Sequence, residues 1–116
     1  MPDPSPEARV LDLVHLARQT FGDRELEREL LGLFEAQCRR LLPVLARAAG
    51  FEDRAHAAHT LKGAARAVGA WRVAAVADEF ERVLEGGAPD SIDAVVGKLE
   101  RAMRDTQAAV ALGRAA

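Results

Sequence analysis

The sequence is poor in aromatic residues: its 116 residues include four Phe, one Trp and no Tyr. Such a low aromatic content argues against an all-β core and against a surface on which nucleobases stack. The formal net charge is −2, so the basic excess typical of nucleic-acid binding is also missing. No apolar run approaches the ~20 residues that a membrane span needs. We therefore expect neither nucleic-acid binding nor membrane insertion.

Cysteine and export signals are equally scarce. A single Cys38 cannot form an internal disulfide, and since it lies on an apolar helical stripe we interpret it as a small core residue. Residues 1–6 are polar and rich in proline, without the basic head and apolar run of a signal peptide. We expect a cytoplasmic protein in which residues 1–4 and 113–116 fray.

Helix-forming residues, above all Ala, Leu, Arg and Glu, are abundant. Apolar residues recur at steps of three and four, which is typical of amphipathic helices, and glycine or proline punctuates the pattern. The pattern predicts five helices: one that starts at Ser5 and stops at Phe21–Gly22, one from Asp23 to about Ala49, one from about Glu52 to Val68, one from Trp71 to the turn at Gly86, and one capped by Asp90 or Ser91.

Four long amphipathic helices with short connections favour an all-α, antiparallel up-and-down four-helix bundle, with the short first helix covering one end. The length of 116 residues fits a single domain. Pro43, inside the second helix, predicts a bend near residues 39–43 or a break. The predicted core stripe of that helix is Leu26, Leu30, Leu33, Phe34, Cys38, Leu41, Leu45 and Ala48. No apolar stripe is left over, so we expect a monomer.

The third helix displays a histidine. At about 100° per residue, small apolar residues lie on one side and His59 on the other, with Glu52, Ala55, His56, Lys62, Gly63 and Arg66. Neutral imidazole is a nucleophile at physiological pH. Lys62 can place an ammonium beside phosphoryl oxygens, assisted by Arg66. Gly63, which costs a helix about 1 kcal/mol relative to Ala, can leave room for a partner's acceptor. The arrangement suits a surface that carries a phosphoryl group.

The segment Ala58-His59-Thr60-Leu61-Lys62-Gly63, followed by Val68-Gly69-Ala70, resembles the histidine phosphotransfer (HPt) domains of bacterial phosphorelays and the related domain of chemotaxis histidine kinases. The resemblance implies that His59 relays a phosphoryl group between receiver-domain aspartates. It implies response-regulator receiver domains and a hybrid sensor histidine kinase as partners. It also implies a carrier that is not itself an enzyme and has no cofactor, with Mg²⁺ bound by the partner receiver domain.

The same resemblance suggests roles around His59. An acidic residue on the next helix accepts the proton on the other imidazole nitrogen in chemotaxis-kinase domains, which implies this role for Glu81, with Asp78 or Glu85 as substitutes. We assign His56 and Ala55, beside the histidine, to the partner-docking face.

The same residues are also compatible with other functions. A separate catalytic domain could phosphorylate His59 directly from ATP, or the chain could bind receiver domains without accepting phosphate. A zinc site built from Glu52, His56 and His59 has too few nitrogen and sulfur ligands, so we expect no metal. His15 and Trp71 are interpreted as structural residues.

Overall fold

The computed structural model describes residues 9–47, 50–86 and 90–115. These residues form five α-helices and no strand. The helices are α1 (Leu13–Thr20), α2 (Arg24–Arg47), α3 (Phe51–Val68), α4 (Trp71–Gly86) and α5 (Asp90–Ala115). The all-α class predicted from the sequence is confirmed.

Helix α1 starts later than predicted. Ser5 lies outside the described residues, but residues 9–12, which the predicted helix includes, are not helical. Asp12 is the N-cap, and its Oδ1 accepts a hydrogen bond of 3.0 Å from the backbone N–H of His15. The backbone N–H of Asp12 donates to the carbonyl of Gly69 at 2.9 Å. This long-range bond keeps the segment extended, so a tertiary contact overrides the Ser-Pro start signal.

A polar cluster ties the start of α1 to the start of α4. Trp71 Nε1 donates to Asp12 Oδ2 at 3.0 Å, and the Trp71 and His15 rings meet edge-on with centroids 4.9 Å apart. The Trp71 N–H bond, followed by the His15 backbone bond, lowers the pKa of Asp12 below its ordinary value. His15 and Trp71 therefore have the structural role that the sequence suggested.

Helix α2 begins after Asp23, whose Oδ1 accepts a 3.1 Å hydrogen bond from the Leu26 backbone N–H. It continues without interruption through Pro43 to Arg47, so the predicted alternative of a break is wrong. Pro43 is exposed, which places its ring on the outer side of the helix. The predicted end near Ala49 lies outside the described residues.

The core face of α2 differs from the prediction at three leucines, because Leu31 is buried without having been predicted and Leu26 and Leu33 are exposed. Leu33 is 65% exposed and Leu26 is 36% exposed, so neither belongs to the core. Leu33 directly precedes Phe34, about 100° around the helix, and it lies on the side of α2 that faces away from the core. The predicted Ala48 lies outside the described residues. The buried residues of α2 are Leu31, Phe34, Cys38, Leu41 and Leu45.

The turn between α3 and α4 depends on Gly69. Its φ of +81° is left-handed, and a Cβ there would stand 2.9 Å from the carbonyl oxygen of Asp12. Glycine is the residue that adopts this conformation without steric cost. Gly69 thus ends α3 and lets the segment before α1 approach the turn.

The four long helices surround one core. In the described part of the chain, α3 packs against α2 and α4, α5 packs against α2 and α4, and α1 packs against α2 and α3. On the inner face of α3, Ala57, Ala58 and Ala65 are at most 2% exposed. Small side chains allow neighbouring helices to approach closely, and this brings the side chains of α4 beside those of α3.

Both ends of the chain are predicted to fray, and the structure describes only part of them. Residues 1–4, predicted to fray, lie outside the described residues, and α5 runs to Ala115, into the segment 113–116 for which fraying is also predicted. Within the described ranges, we find no helix with the length and apolar character needed to cross a bilayer.

Cys38 is buried, and this burial raises the pKa of its thiol to about 12.

Candidate functional site

His59 projects from the outer face of α3. Its side chain is 76% exposed, whereas its neighbours Ala58 and Leu61 are fully buried. The helical period explains this contrast, because His59 and Leu61 are about 200° apart around the helix axis. The imidazole therefore stands on a convex surface where a second protein could reach it.

Gly63, one turn after His59, borders open space. A Cβ built at this position meets no atom within 4 Å. The glycine is therefore not needed for close packing inside this protein, although it weakens the helix. What it provides is a bare stretch of backbone beside the exposed imidazole, as the sequence predicted.

Glu81, on α4, is the carboxylate beside the imidazole. Its Oε1 lies 3.8 Å from His59 Nδ1, beyond the 2.7–3.2 Å range of an N–H···O hydrogen bond. This oxygen is buried and has no hydrogen-bond partner among the described residues. A small rotation of the imidazole would bring Nδ1 within hydrogen-bond distance of this oxygen.

Lys62 is less exposed than the helical pattern predicted. Its side chain is only 14% exposed, and its Nζ lies 3.0 Å from Glu81 Oε1. The ammonium also donates a hydrogen bond of 3.3 Å to Asp78 Oδ1. Glu81 chiefly, and Asp78 as well, raise the pKa of Lys62 above its ordinary value, against the opposing effect of burial. The flexible lysine stem lies across the α3–α4 interface, so its charge faces α4 rather than open solvent.

Asp78 belongs to this cluster in a way that sequence reasoning missed. The sequence suggests it only as a substitute for Glu81, but the structure pairs its Oδ1 with Lys62 and its Oδ2 with Arg82 NH1 at 3.1 Å. The spacing contained a signal, because residues 78, 81 and 82 lie on one face of a helix. Which α3 side chain would meet that face depended on how the two helices pack.

The remaining predicted site residues differ in exposure. His56 and Arg66 are exposed, as expected for the face that bears His59, and Glu85 is exposed one turn beyond Glu81. Ala55 is only half-exposed and packs against the core, so it offers little surface to a partner. The described residues contain no group of three or more His, Cys, Asp or Glu side chains placed to hold a metal ion.

Comparison with known proteins gives one match. The family model described as the Hpt domain matches residues 29–111, which is more than half of the chain and includes all of α3 and α4. No curated protein and no solved structure matches the sequence. The matched region contains the whole cluster around His59.

Proposed function

Because the chain belongs to the Hpt domain family, we propose that it relays a phosphoryl group between receiver-domain aspartates through His59. Hpt domains are phosphocarrier modules of phosphorelays that interact with receiver domains and kinases, and they are not catalysts in themselves. The observation that supports His59 most directly is its 76% exposed side chain, one turn from a glycine with no atom within 4 Å of its missing Cβ.

In the proposed reaction, the outer nitrogen Nε2 attacks the phosphorus of an aspartyl phosphate on the donor receiver domain. The bond from Nε2 to phosphorus forms as the phosphorus–oxygen bond breaks, and its electron pair stays on the aspartate carboxylate. Nδ1 keeps its proton. Glu81 accepts this N–H and offsets the positive charge that the ring gains, which supports its role as the orienting carboxylate.

The open surface at Gly63 supports an in-line approach, because the donor aspartate and its phosphoryl group must reach Nε2 without meeting a side chain. Mg²⁺ on the receiver domain supplies most of the charge compensation. Lys62 acts indirectly, through Glu81, because two carboxylates hold its ammonium. Arg66 is the exposed cation on this face that can approach phosphoryl oxygens, and His56, with a small contribution from Ala55, contacts the docked partner.

We also propose that α2 to α5 form an antiparallel up-and-down bundle. The contacts between α3 and α4 support it: His59 meets Glu81 and Lys62 meets Asp78, so residue numbers rise on one helix as they fall on the other. The ion pairs between α4 and α5 follow the same rule, with Arg72 on Asp105 and Glu79 on Lys98. A cytoplasmic monomer is the state in which we expect the protein to act.

Phosphoryl transfer from purified receiver domains tests the proposal. Receiver domains are phosphorylated in the presence of Mg²⁺, mixed with the protein, and the label on each chain is followed over time. We expect acid-labile, alkali-stable label on the wild-type protein and none on His59→Gln. His56→Gln removes an exposed histidine three residues earlier on the same face, and it should reach the wild-type end point.

Three outcomes would count against this reading. Equal labelling of His59→Gln would assign the phosphate to another residue, and no labelling by any receiver domain or kinase would leave a pure binding module. Labelling by a kinase and Mg-ATP without a receiver domain would favour the alternative of direct phosphorylation.

A further inference from the structure

The two carboxylates that face Lys62 hold its ammonium differently. Asp78 Oδ1 receives an aligned hydrogen bond at 3.3 Å. Glu81 Oε1 is nearer, at 3.0 Å, yet it is a buried oxygen without a hydrogen-bond partner. The two carboxylates therefore share the ammonium, with the aligned contact on Asp78 and the shorter one on Glu81.

Asp78 is itself held in this position. Its second oxygen, Oδ2, lies 3.1 Å from Arg82 NH1, one turn later on α4. With one cation on each oxygen, the carboxylate has a fixed orientation, and Oδ1 stays aimed at Lys62. Asp78 lies one turn from Glu81 on the same helix, so the two acids compete for one lysine.

This competition bears on the imidazole. We propose that Asp78 is a positioning residue for His59: by sharing the Lys62 ammonium with Glu81, it keeps Glu81 Oε1 a stronger acceptor for the His59 Nδ1–H. Its effect on phosphoryl transfer rests on the function proposed above, whereas its effect on the tautomer of the unmodified protein does not.

Removing the charge of Asp78 has a defined consequence. In Asp78→Asn the ammonium loses one of its two charged acceptors and moves further toward Glu81 Oε1, which is already within 3.0 Å. A stronger lysine contact withdraws charge from that oxygen, so it becomes a weaker acceptor for the Nδ1–H of His59. The neutral ring then shifts toward the Nε2–H tautomer, in which the outer nitrogen has no free lone pair for attack.

The tautomer is measured from the ¹⁵N chemical shifts of the two imidazole nitrogens on the alkaline plateau, where these shifts no longer change with pH. We expect a smaller Nδ1–H fraction in Asp78→Asn than in wild type. Transfer from a phosphorylated receiver domain should slow by about three- to ten-fold, as expected when one hydrogen bond weakens.

Glu79→Gln is the matched control. It removes the same charge from the adjacent position on α4, and its side chain is 33% exposed, against 36% for Asp78. Its partner is Lys98 on α5, at 2.9 Å, so it should change neither the tautomer nor the transfer rate. A fall as large as that in Asp78→Asn would mean that any lost charge on α4 has this effect, and would overturn the proposal.

A double variant separates positioning through Lys62 from a general structural role. In a Lys62→Met background there is no ammonium to redirect, so adding Asp78→Asn should leave the Nδ1–H fraction unchanged. If the double variant lowers that fraction as far as the single one, or if the single variant does not lower it, the proposal is wrong. A wild-type protein that takes no phosphate would defeat the proposed function but leave this result intact.

Arg82→Gln keeps the test usable if Asp78→Asn does not fold. The Arg82 side chain is 69% exposed, so its replacement should not disturb the core. It frees Oδ2 of Asp78 and should cause a smaller shift of the tautomer in the same direction. No shift would show that the orientation of Asp78 does not matter to His59.

Discussion

Replacing Gly63 with alanine should stabilise the fold and impair the function. A glycine in a helix interior costs about 0.8–1 kcal/mol relative to alanine. Because a Cβ at this position meets no atom within 4 Å, no steric penalty offsets the gain. We expect the free energy of unfolding to rise by ~0.5–1 kcal/mol, which corresponds to a melting temperature roughly 2–6 °C higher for a domain of this size.

The same methyl group would stand one turn from His59, in the space through which a donor aspartate must approach. Displacing the reacting groups by even 1 Å can reduce a rate by about 100-fold, so we expect transfer from a phosphorylated receiver domain to slow by roughly ten- to 100-fold. Thermal unfolding followed by circular dichroism measures the first effect, and the time course of label transfer measures the second.

Gly97→Ala is the matched control for Gly63→Ala. A Cβ at Gly97 also meets no atom within 4 Å, and Gly97 lies inside α5, which makes no contact with α3 in the described part of the chain. It should raise the melting temperature similarly and leave transfer unchanged. A destabilised Gly63→Ala would show that the space is not open, and a stabilised variant with normal transfer would refute the clearance argument.

Two further predictions concern ion pairs. Lys62→Met removes the ammonium that Glu81 and Asp78 share and should lower the free energy of unfolding by about 1–3 kcal/mol. Since the pKa of Lys62 is raised in the fold, its contribution is present below the ordinary value of 10.5 and lost as the pH rises through the folded-state value. Urea unfolding across an alkaline pH series should therefore show a steeper loss of stability in wild type than in the variant, and equal slopes would contradict this. Asp12→Asn can still cap α1, but it weakens the hydrogen bond from Trp71. Because the pKa of Asp12 is lowered in the fold, the contribution of its charge to stability is present above pH 3.8 and is lost as the pH falls through the lower folded-state value. The variant should be less stable by about 1 kcal/mol at neutral pH and similar to wild type in acid, as read from the fluorescence of the single tryptophan; a difference that persists in acid would be inconsistent with a charge effect.

The long helices could be predicted from the sequence because each buries one face at the 3.6-residue period. Residues such as Leu61, Phe80 and Leu99 are all at most 1% exposed, and glycine marks where α3 ends. The start of α1 could not be predicted, since it depends on a backbone bond between Asp12 and Gly69. A contact between residues that are distant in the sequence leaves no periodic pattern in either segment.

The exposure of His59 and the open space at Gly63 followed from the helical wheel alone. The position of Lys62 did not, because a flexible side chain at the edge of the apolar face can turn toward solvent or toward a neighbouring helix. The choice depends on the register of α3 against α4, which brings Asp78 and Glu81 within 3.3 Å of its ammonium. The local sequence shows which charged residues are available for such a contact, but it does not show which of them will pair.

The buried thiol of Cys38 makes the protein convenient for site-specific labelling. Its thiol is buried and has a pKa raised to about 12, so it offers alkylating reagents almost no thiolate at neutral pH. A cysteine introduced at Leu33, which is 65% exposed and outside the core, would take up a fluorophore or a cross-linker by itself. The native cysteine would not have to be replaced first, so a visiting partner could be observed on a protein with an otherwise unaltered interior.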